Sequence, residues 1–519
     1  MNKNYFAPVL ISILFALLIA NNITGTHLSH DLTAYLAPVV AYIKGYGIPY
    51  LDFFDIKAPG LLIFFLPWVY FFGYSLVSML ILELIVTIIC MCLYRHLIKE
   101  LSNRWVADIF FVLSLFYCIT STQLHMMLQS ETIGLLMVLS SIVLVAHCGL
   151  KAYSYLIAGF LLLFAGQVKE IYIFTPAAMM IYIAFRKMPL ASKVNKILFI
   201  FIGCGVSAVL IFLFLKISGA YDAYIEVIQY KRTFFSFPPP VSIISKSREV
   251  MTALSINFYP YFIGIGLLVV LVALNLNGMR LNKCTRSRRI EVFNLVWLQC
   301  LVILVGFIWQ MKRPDGHYLL PIWIMWSLFS LGLVFCAVHI IQNNMNIFMR
   351  FLVSISAIIV IYPLINNVPD AIKFIANEKI VIFENWPFEN DGEMQKYDFV
   401  KKQVLNQGCI QQAYGWNSGA AYIYTNIKPC SKYFLSNLIK TSDMKADYKS
   451  QIIKNLPAVI IYSTYGADMD TKIFEKEVIS WHDIINKCYQ ITEYEDIFIL
   501  DKSKKDACLM DFLVHENGK

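Results

Sequence analysis

HLSHDLTAYLAPVVAYIKGYGIPYLDFFDIKAPG, residues 27–60, decides how this chain is read. It directly follows an apolar run and is far more polar than the sequence on either side. From Leu32 to Tyr46 apolar residues recur at roughly helical spacing, and Gly45 and Gly47 then stop the pattern. The stretch predicts an interfacial helix and turn, opened by His30 and Asp31 and closed by Asp52, Asp55 and Lys57, with Tyr35 and Tyr50 among its aromatic residues. Ionisable groups beside a bilayer are costly to keep, so their presence is read first as functional.

The bilayer itself is read from composition. The 519 residues are 58% hydrophobic and only 15% charged, with a mean hydropathy of +0.63. Segments of about 20 apolar residues, each enough to cross a hydrocarbon core of ~30 Å, recur as far as residue 366. Backbone polar groups in lipid must be satisfied within each segment, which makes these segments helices. The expected spans are 6–20, 76–93, 105–119, 132–146, 153–165, 171–185, 197–215, 257–274, 292–310, 318–338 and 351–365. Residues 61–72 are too short to cross and read as interfacial or re-entrant. The first run, behind Lys3, lacks a small-x-small cleavage site and reads as an uncleaved span.

A net charge of +9 would suit an anionic partner such as nucleic acid, but its distribution argues against one. The surplus lies in short loops near 95–104, 186–196 and 280–289. Counting alternate sides from a cytoplasmic N-terminus puts all of these in the cytoplasm, as the positive-inside rule requires. The loops at 22–75, 120–131, 166–170, 216–256 and 311–317 then share the outer face, and residues 366–519 follow them there. The expected organisation is a transmembrane region, 1–365, and an extracytoplasmic α/β domain, 366–519, with strands at 458–463 and 497–500. Eight of the twelve cysteines lie in or near the apolar region. The other four, Cys409, Cys430, Cys488 and Cys508, are disulfide candidates with three connectivities, Cys409 with Cys430 being the first to test.

The strongly polar groups of the membrane region gather on that outer side. Asp31 leads the first loop, Glu131 opens the span at 132–146, and Lys169 and Glu170 close the span at 153–165. Lys231 and Arg232 lie in the long loop, and Arg313, Asp315, His317 and Tyr318 precede a late span. Carboxylates and cations at the outer ends of different helices suggest a shared cavity. Such a cavity suits transfer from a phosphate-linked donor, because cations neutralise charge developing on a leaving phosphate while a carboxylate takes the proton of the attacking hydroxyl.

Each residue also has a plainer reading. Asp31 would serve as a helix N-cap, Glu131 as a first-turn acid favouring the helix dipole, and Lys57 as a snorkelling side chain. Lys169 and Glu170 would pair with each other, and Arg313 and His317 would anchor at the interface. No GxxxxGK[ST] or GxGxxG occurs, which removes support for a nucleotide site. His27, His30 and Asp31 resemble a compact metal site but lack a fourth ligand, so no cofactor is expected.

The polar constellation resembles the polyprenyl-phosphate-dependent C-type glycosyltransferases (GT-C), in the protein mannosyltransferase and aminoarabinose transferase branch. The likeness rests on an acid after the first span, then G-x-G-x-P-Y-x-D-x-x-D-x-K-A-P from Gly45 to Pro59. It rests also on the Phe72-Gly-Tyr-Ser75 turn, on Ser130-Glu131 and on His317-Tyr-Leu-Leu-Pro321. It covers the membrane half, while the tail is similar only in Ala413-Tyr-Gly-Trp416 and Pro457-Ala-Val-Ile-Ile461. The chain departs from the branch in His30-Asp31, where Asp-Glu is frequent, and in Lys-Ala-Pro, where Lys-Pro-Pro is.

The resemblance implies a multispan α-helical fold and Asp31 as catalytic base, with Glu131 a second acid in the cavity. Lys57 and Arg313 would hold the donor phosphate, with Lys169 and Arg232 as further cations. His30, Tyr35, Tyr50, Asp52, Asp55, Glu170, His317 and Tyr318 would line the cavity. The expected activity is inverting transfer of one sugar from a polyprenyl-phosphate carrier to a hydroxyl of a surface glycan, glycolipid or protein. This places the chain in the cytoplasmic membrane of a cell that modifies its envelope, its O-antigen or its lipopolysaccharide. A transporter or flippase of lipid-linked glycans is the alternative of a different class, and would carry repeated halves and broken-helix pairs. A polysaccharide polymerase or ligase is a third reading.

Overall fold

The computed structural model describes residues 30–101, 128–148, 151–236, 283–310, 391–404, 408–414, 418–434, 439, 441–462, 481–494 and 496–505. The spans expected at 6–20, 105–119, 257–274, 318–338 and 351–365 lie outside the described residues.

The stretch that opened the reading folds as helix α1 (His30–Lys44). Gly45 ends it in the left-handed region, φ +73°, and the Tyr46 N–H closes back on the Ala41 carbonyl at 3.0 Å, as glycine-terminated helices do. Residues 32–41 are buried without a break. A helix apolar nearly all round must be covered on all sides, and α1 is covered by α2 (Pro59–Phe72) and by a helix of the tail. α2 starts on Pro59 at its N-terminus, while its far end leaves Tyr70, Phe71 and Phe72 exposed. That suits an interfacial segment better than a crossing one.

Next come α3 (Leu76–Leu101), α4 (Ser130–Cys148), α5 (Ala152–Val168), a single 3-10 turn (Glu170–Tyr172), α6 (Thr175–Phe185), α7 (Leu190–Ile217), α8 (Tyr221–Ser236) and α9 (Lys283–Gln310). Among the described residues, Val77–Glu100, Ser130–His147 and Leu190–Ile217 are long and apolar enough to cross a membrane. α5 packs between α4 and α7, and α9 packs on α6 and the 3-10 turn. α7 turns Phe201, Val206, Val209, Phe212 and Leu213 outward while Ile200, Ser207 and Ile211 are buried. A continuous exposed apolar face on a helix of this length suits lipid, not water.

Three sequence expectations change here. The span at 171–185 is broken by the 3-10 turn, leaving an 11-residue α6 that rises only ~17 Å. The basic stretch 280–289 is helical from Lys283 onward, since Lys and Arg are good helix formers. The long polar connection 216–256 contains α8, whose Ala220, Val227 and Tyr230 are buried.

The tail builds α10 (Asp391–Val404), β1 (Ile410–Tyr414), α11 (Ser418–Thr425), α12 (Ser442–Asn455), β2 (Val459–Tyr462), α13 (Trp481–Cys488), β3 (Tyr489–Ile491) and β4 (Ile497–Leu500). The sheet order is β1-β2-β4-β3, with β1 and β2 parallel and the other pairs antiparallel. β2 and β4 are the two strands expected from sequence, paired Val459 to Ile499. Cys409 and Cys430 form a disulfide with Cα atoms 5.0 Å apart, and Cys488 is disulfide-bonded as well. Closing a loop of this size stabilises a small unit by roughly 3 kcal/mol.

The tail is interlocked with the first loop. α11 lies against α1 so closely that a Cβ on Gly419 would sit 2.1 Å from the Thr33 carbonyl oxygen. The Lys44 ammonium donates to Asn426 at 2.7 Å, the Tyr46 hydroxyl to the Tyr422 carbonyl at 3.0 Å, and the Phe54 N–H to the Lys432 carbonyl at 2.7 Å. Phe53 meets the rings of Tyr422 and Phe434 edge-on. Gly419→Val is therefore expected to lower the thermal unfolding temperature of the detergent-solubilised protein, by the ~1–3 kcal/mol typical of overpacking or more. An unchanged transition would mean that α11 does not rest on α1.

Candidate functional site

The site is assembled from three chain segments. The first is the turn after α1. Tyr50 there adopts φ +63°, a left-handed conformation that costs a bulky residue roughly 1–2 kcal/mol. Its hydroxyl donates to the Lys57 carbonyl at 2.9 Å, and the Lys57 N–H donates to Asp55 Oδ1 at 3.1 Å. Asp55 is buried. The Lys57 ammonium donates to the Tyr35 hydroxyl at 3.2 Å and lies 4.8 Å over that ring, a cation–π contact.

The second segment is the junction of α4 with the end of α5. Glu131, 1% exposed, pairs with Lys169 at 2.7 Å. Its other oxygen accepts from the Ser130 hydroxyl at 2.9 Å, and its backbone carbonyl accepts from the Tyr172 hydroxyl at 2.7 Å. The plain expectation that Lys169 pairs with Glu170 is thereby corrected. Lys169 has extended backbone, φ −146° and ψ 127°, which sends neighbouring side chains to opposite sides. Lys169 turns to Glu131, and Glu170 turns to Lys231 on α8, the third segment.

These segments touch. Gly60 abuts the Gln167 carbonyl so closely that a Cβ there would lie 2.5 Å from its oxygen, which sets the end of the first loop against the end of α5. The Tyr50 ring meets that of Tyr224 on α8 at a tilt, with 4.9 Å between ring centres. Burial first, then Tyr224, Asp55 and Glu170, push the Tyr50 hydroxyl well above its ordinary range, so it remains a neutral donor. Burial alone would raise Glu170, but the Lys231 and Lys169 ammoniums outweigh it and hold the carboxyl below the usual carboxylate range. Tyr35, Tyr50, Asp55, Lys57, Glu131, Lys169, Glu170 and Lys231 thus form one continuous polar seam at one end of the apolar helices.

Asp52 has a structural role. Its carboxylate accepts from the Ile48 N–H at 2.8 Å and lies 3.6 Å from Lys428 of the tail. Asp31 is helical, one turn before Tyr35 on α1, so it lies within the helix rather than capping it from outside. His27, Arg313, His317 and Tyr318 lie outside the described residues, as do the side chains of His30, Asp31 and Arg232. Sequence reasoning missed Tyr172 and Tyr224, which contact Glu131 and Tyr50 of the seam. The signal for Tyr224 was present in the spacing of Ala220, Tyr224, Val227 and Tyr230, which marks one helical face.

No protein-family model matches the chain, and no curated protein matches it. Among solved structures it is similar to the Archaeoglobus fulgidus oligosaccharyltransferase in the apo form, at 13% identity and a TM-score of 0.49, over 88% of this chain and 70% of that one. The same enzyme in complex with Zn and sulfate gives 12% identity and a TM-score of 0.49, over 93% and 71%. Tethered to an acceptor peptide containing the NVT sequon, it gives 13% and 0.48, over 97% and 75%. A likeness at this distance assigns no role to any residue of this chain.

Proposed function

We propose that this protein is a membrane-embedded glycosyltransferase that moves one sugar, with inversion, from a polyprenyl-phosphate carrier to a hydroxyl of a cell-surface glycan or glycolipid. The observation that carries this reading is the seam itself. Two cations, Lys57 and Lys169, and the acids Asp55, Glu131 and Glu170 come from separate segments and meet where apolar helices end. Lipid-linked donors present their phosphate at that level of a bilayer. The motif resemblance of residues 45–59 and 130–131 points the same way.

In this reading the acceptor oxygen attacks the anomeric carbon as the bond from that carbon to the phosphate oxygen breaks. The acceptor proton passes to Asp31, and the leaving phosphate gathers charge beside Lys57 and Arg313. Cations positioned for that charge favour the transition state over the bound donor. Asp55 fixes the backbone at Lys57, and Tyr35 holds its ammonium. The disulfide Cys409–Cys430 supports an oxidising compartment for the tail, and so an outer-face site in the cytoplasmic membrane.

The test is mass spectrometry of surface glycan from a strain lacking the gene, paired with transfer from a synthetic polyprenyl-phosphate sugar by the purified protein. Loss of one hexose- or pentose-sized branch, restored by the purified protein, is the expected result. Loss of all polymer, or no transfer from any monophosphate-linked sugar, would overturn the reading in favour of a flippase, polymerase or ligase.

A further inference from the structure

We propose that the ends of α3 and α4 remote from Glu131 form a binding site for a divalent transition metal of the zinc type, held by His96, Glu100 and His147. Glu131 lies in the first turn of α4 and His147 in its last, which separates the two sites by roughly 24 Å along the helix. The proposal is therefore independent of the sugar-transfer reading. It also uses none of the residues of the His27, His30 and Asp31 set considered from sequence.

The geometry is that of facing helices. His96 and Glu100 are four residues apart on α3 and so share one face. His147 reaches them from α4. The two Nε2 atoms are 2.9 Å apart, the His147 Nε2 lies 3.8 Å from Glu100 Oε1, and the three ligand atoms all fall within 4.8 Å of one another. Zinc bound tetrahedrally by nitrogen at 2.0–2.1 Å holds its ligand atoms about 3.4 Å apart. The pair reaches that spacing by opening about half an ångström.

The donor set selects the ion. Two imidazoles and one carboxylate suit a borderline ion such as zinc, whereas magnesium and calcium favour all-oxygen shells. A metal takes the lone pair of each ring nitrogen, so a hydrogen shared between the two Nε2 atoms moves to Nδ1 or to solvent as the ion binds. His96 and Glu100 are half-buried and His147 is exposed, so an ion reaches the site from outside and a water completes its shell. Bound there, the metal ties two long apolar helices together at an end where no covalent link does so among the described residues.

The experiment uses the full chain in detergent, purified without a polyhistidine tag, stripped with chelator and given Zn²⁺ or Co²⁺ alone. About one equivalent of zinc per chain by elemental analysis is expected, with four-coordinate visible bands for Co²⁺ and a raised unfolding temperature. His96→Ala and His147→Ala should each lose the equivalent, and Glu100→Gln should weaken binding at least tenfold. Absence of a stoichiometric ion in the wild-type protein overturns the proposal whatever the variants do. Retention of the full equivalent by the double variant His96→Ala/His147→Ala overturns it as well. Because His147 is exposed, its substitution leaves folding intact, and the elution profile of that variant verifies this.

Discussion

Asp31→Asn is expected to slow sugar transfer by 10²–10⁴-fold, the usual loss when a general base is removed. That range corresponds to about 2.7–5.5 kcal/mol in the barrier. The substitution keeps size, shape and hydrogen-bonding capacity. Asp31 lies within α1, one turn before Tyr35, whose hydroxyl receives the Lys57 ammonium. The competing explanation is a charge that favours the helix dipole, worth about 0.3–1 kcal/mol and felt in stability rather than in rate. The magnitudes separate the two. Turnover per folded molecule, measured alongside the unfolding temperature, decides between them: normal turnover in Asp31→Asn would remove Asp31 from the chemistry.

The second large effect concerns Glu131 and Lys169. Glu131 is buried and Lys169 is only 12% exposed, and they pair at 2.7 Å. Removing one member of a buried pair typically costs 3–5 kcal/mol, because the other charge is stranded, whereas replacing both costs far less. Lys169→Met alone should thus destabilise the protein severely. Glu131→Gln/Lys169→Met together should recover most of the loss in a denaturation series. Activity then separates a role of the pair in the reaction from a structural one. If the double variant folds normally but transfers no sugar, at least one member of the pair acts in the reaction. If transfer returns with stability, the pair is a strut that holds α4 to the end of α5. An additive double variant, as unstable as the sum of the singles, would mean that the two groups are not coupled.

What the sequence made legible follows from how local each signal is. The helix ending at Gly45, the long apolar α3, α4 and α7, and the strands β2 and β4 are encoded within their own residues. α8 was hidden because its polar surface outweighs its buried face in any average. The continuous burial of α1 was hidden for another reason: its cover comes from α11, and no local pattern names a partner so distant. The same holds for the seam. Lys57, Glu131, Lys169 and Glu170 were identifiable as chemistry-bearing residues, but their pairing depends on the extended backbone at Lys169 and on the approach of α8.

The docking of α11 on α1 sets an order of events during synthesis. Lys44 and Asn426, bonded across that junction, are 382 residues apart. At 5–20 residues per second, roughly 20–80 s pass between translation of the first and of the second. Throughout that interval the helix carrying Asp31 has left the ribosome without its cover, its apolar flank open to lipid, chaperone or a neighbouring chain. Completion of this end of the fold is thus timed by the last quarter of translation, and synthesis that stops before Ser418 leaves α1 without the helix that covers it. Fusing a truncated membrane half to another protein would leave the same flank bare.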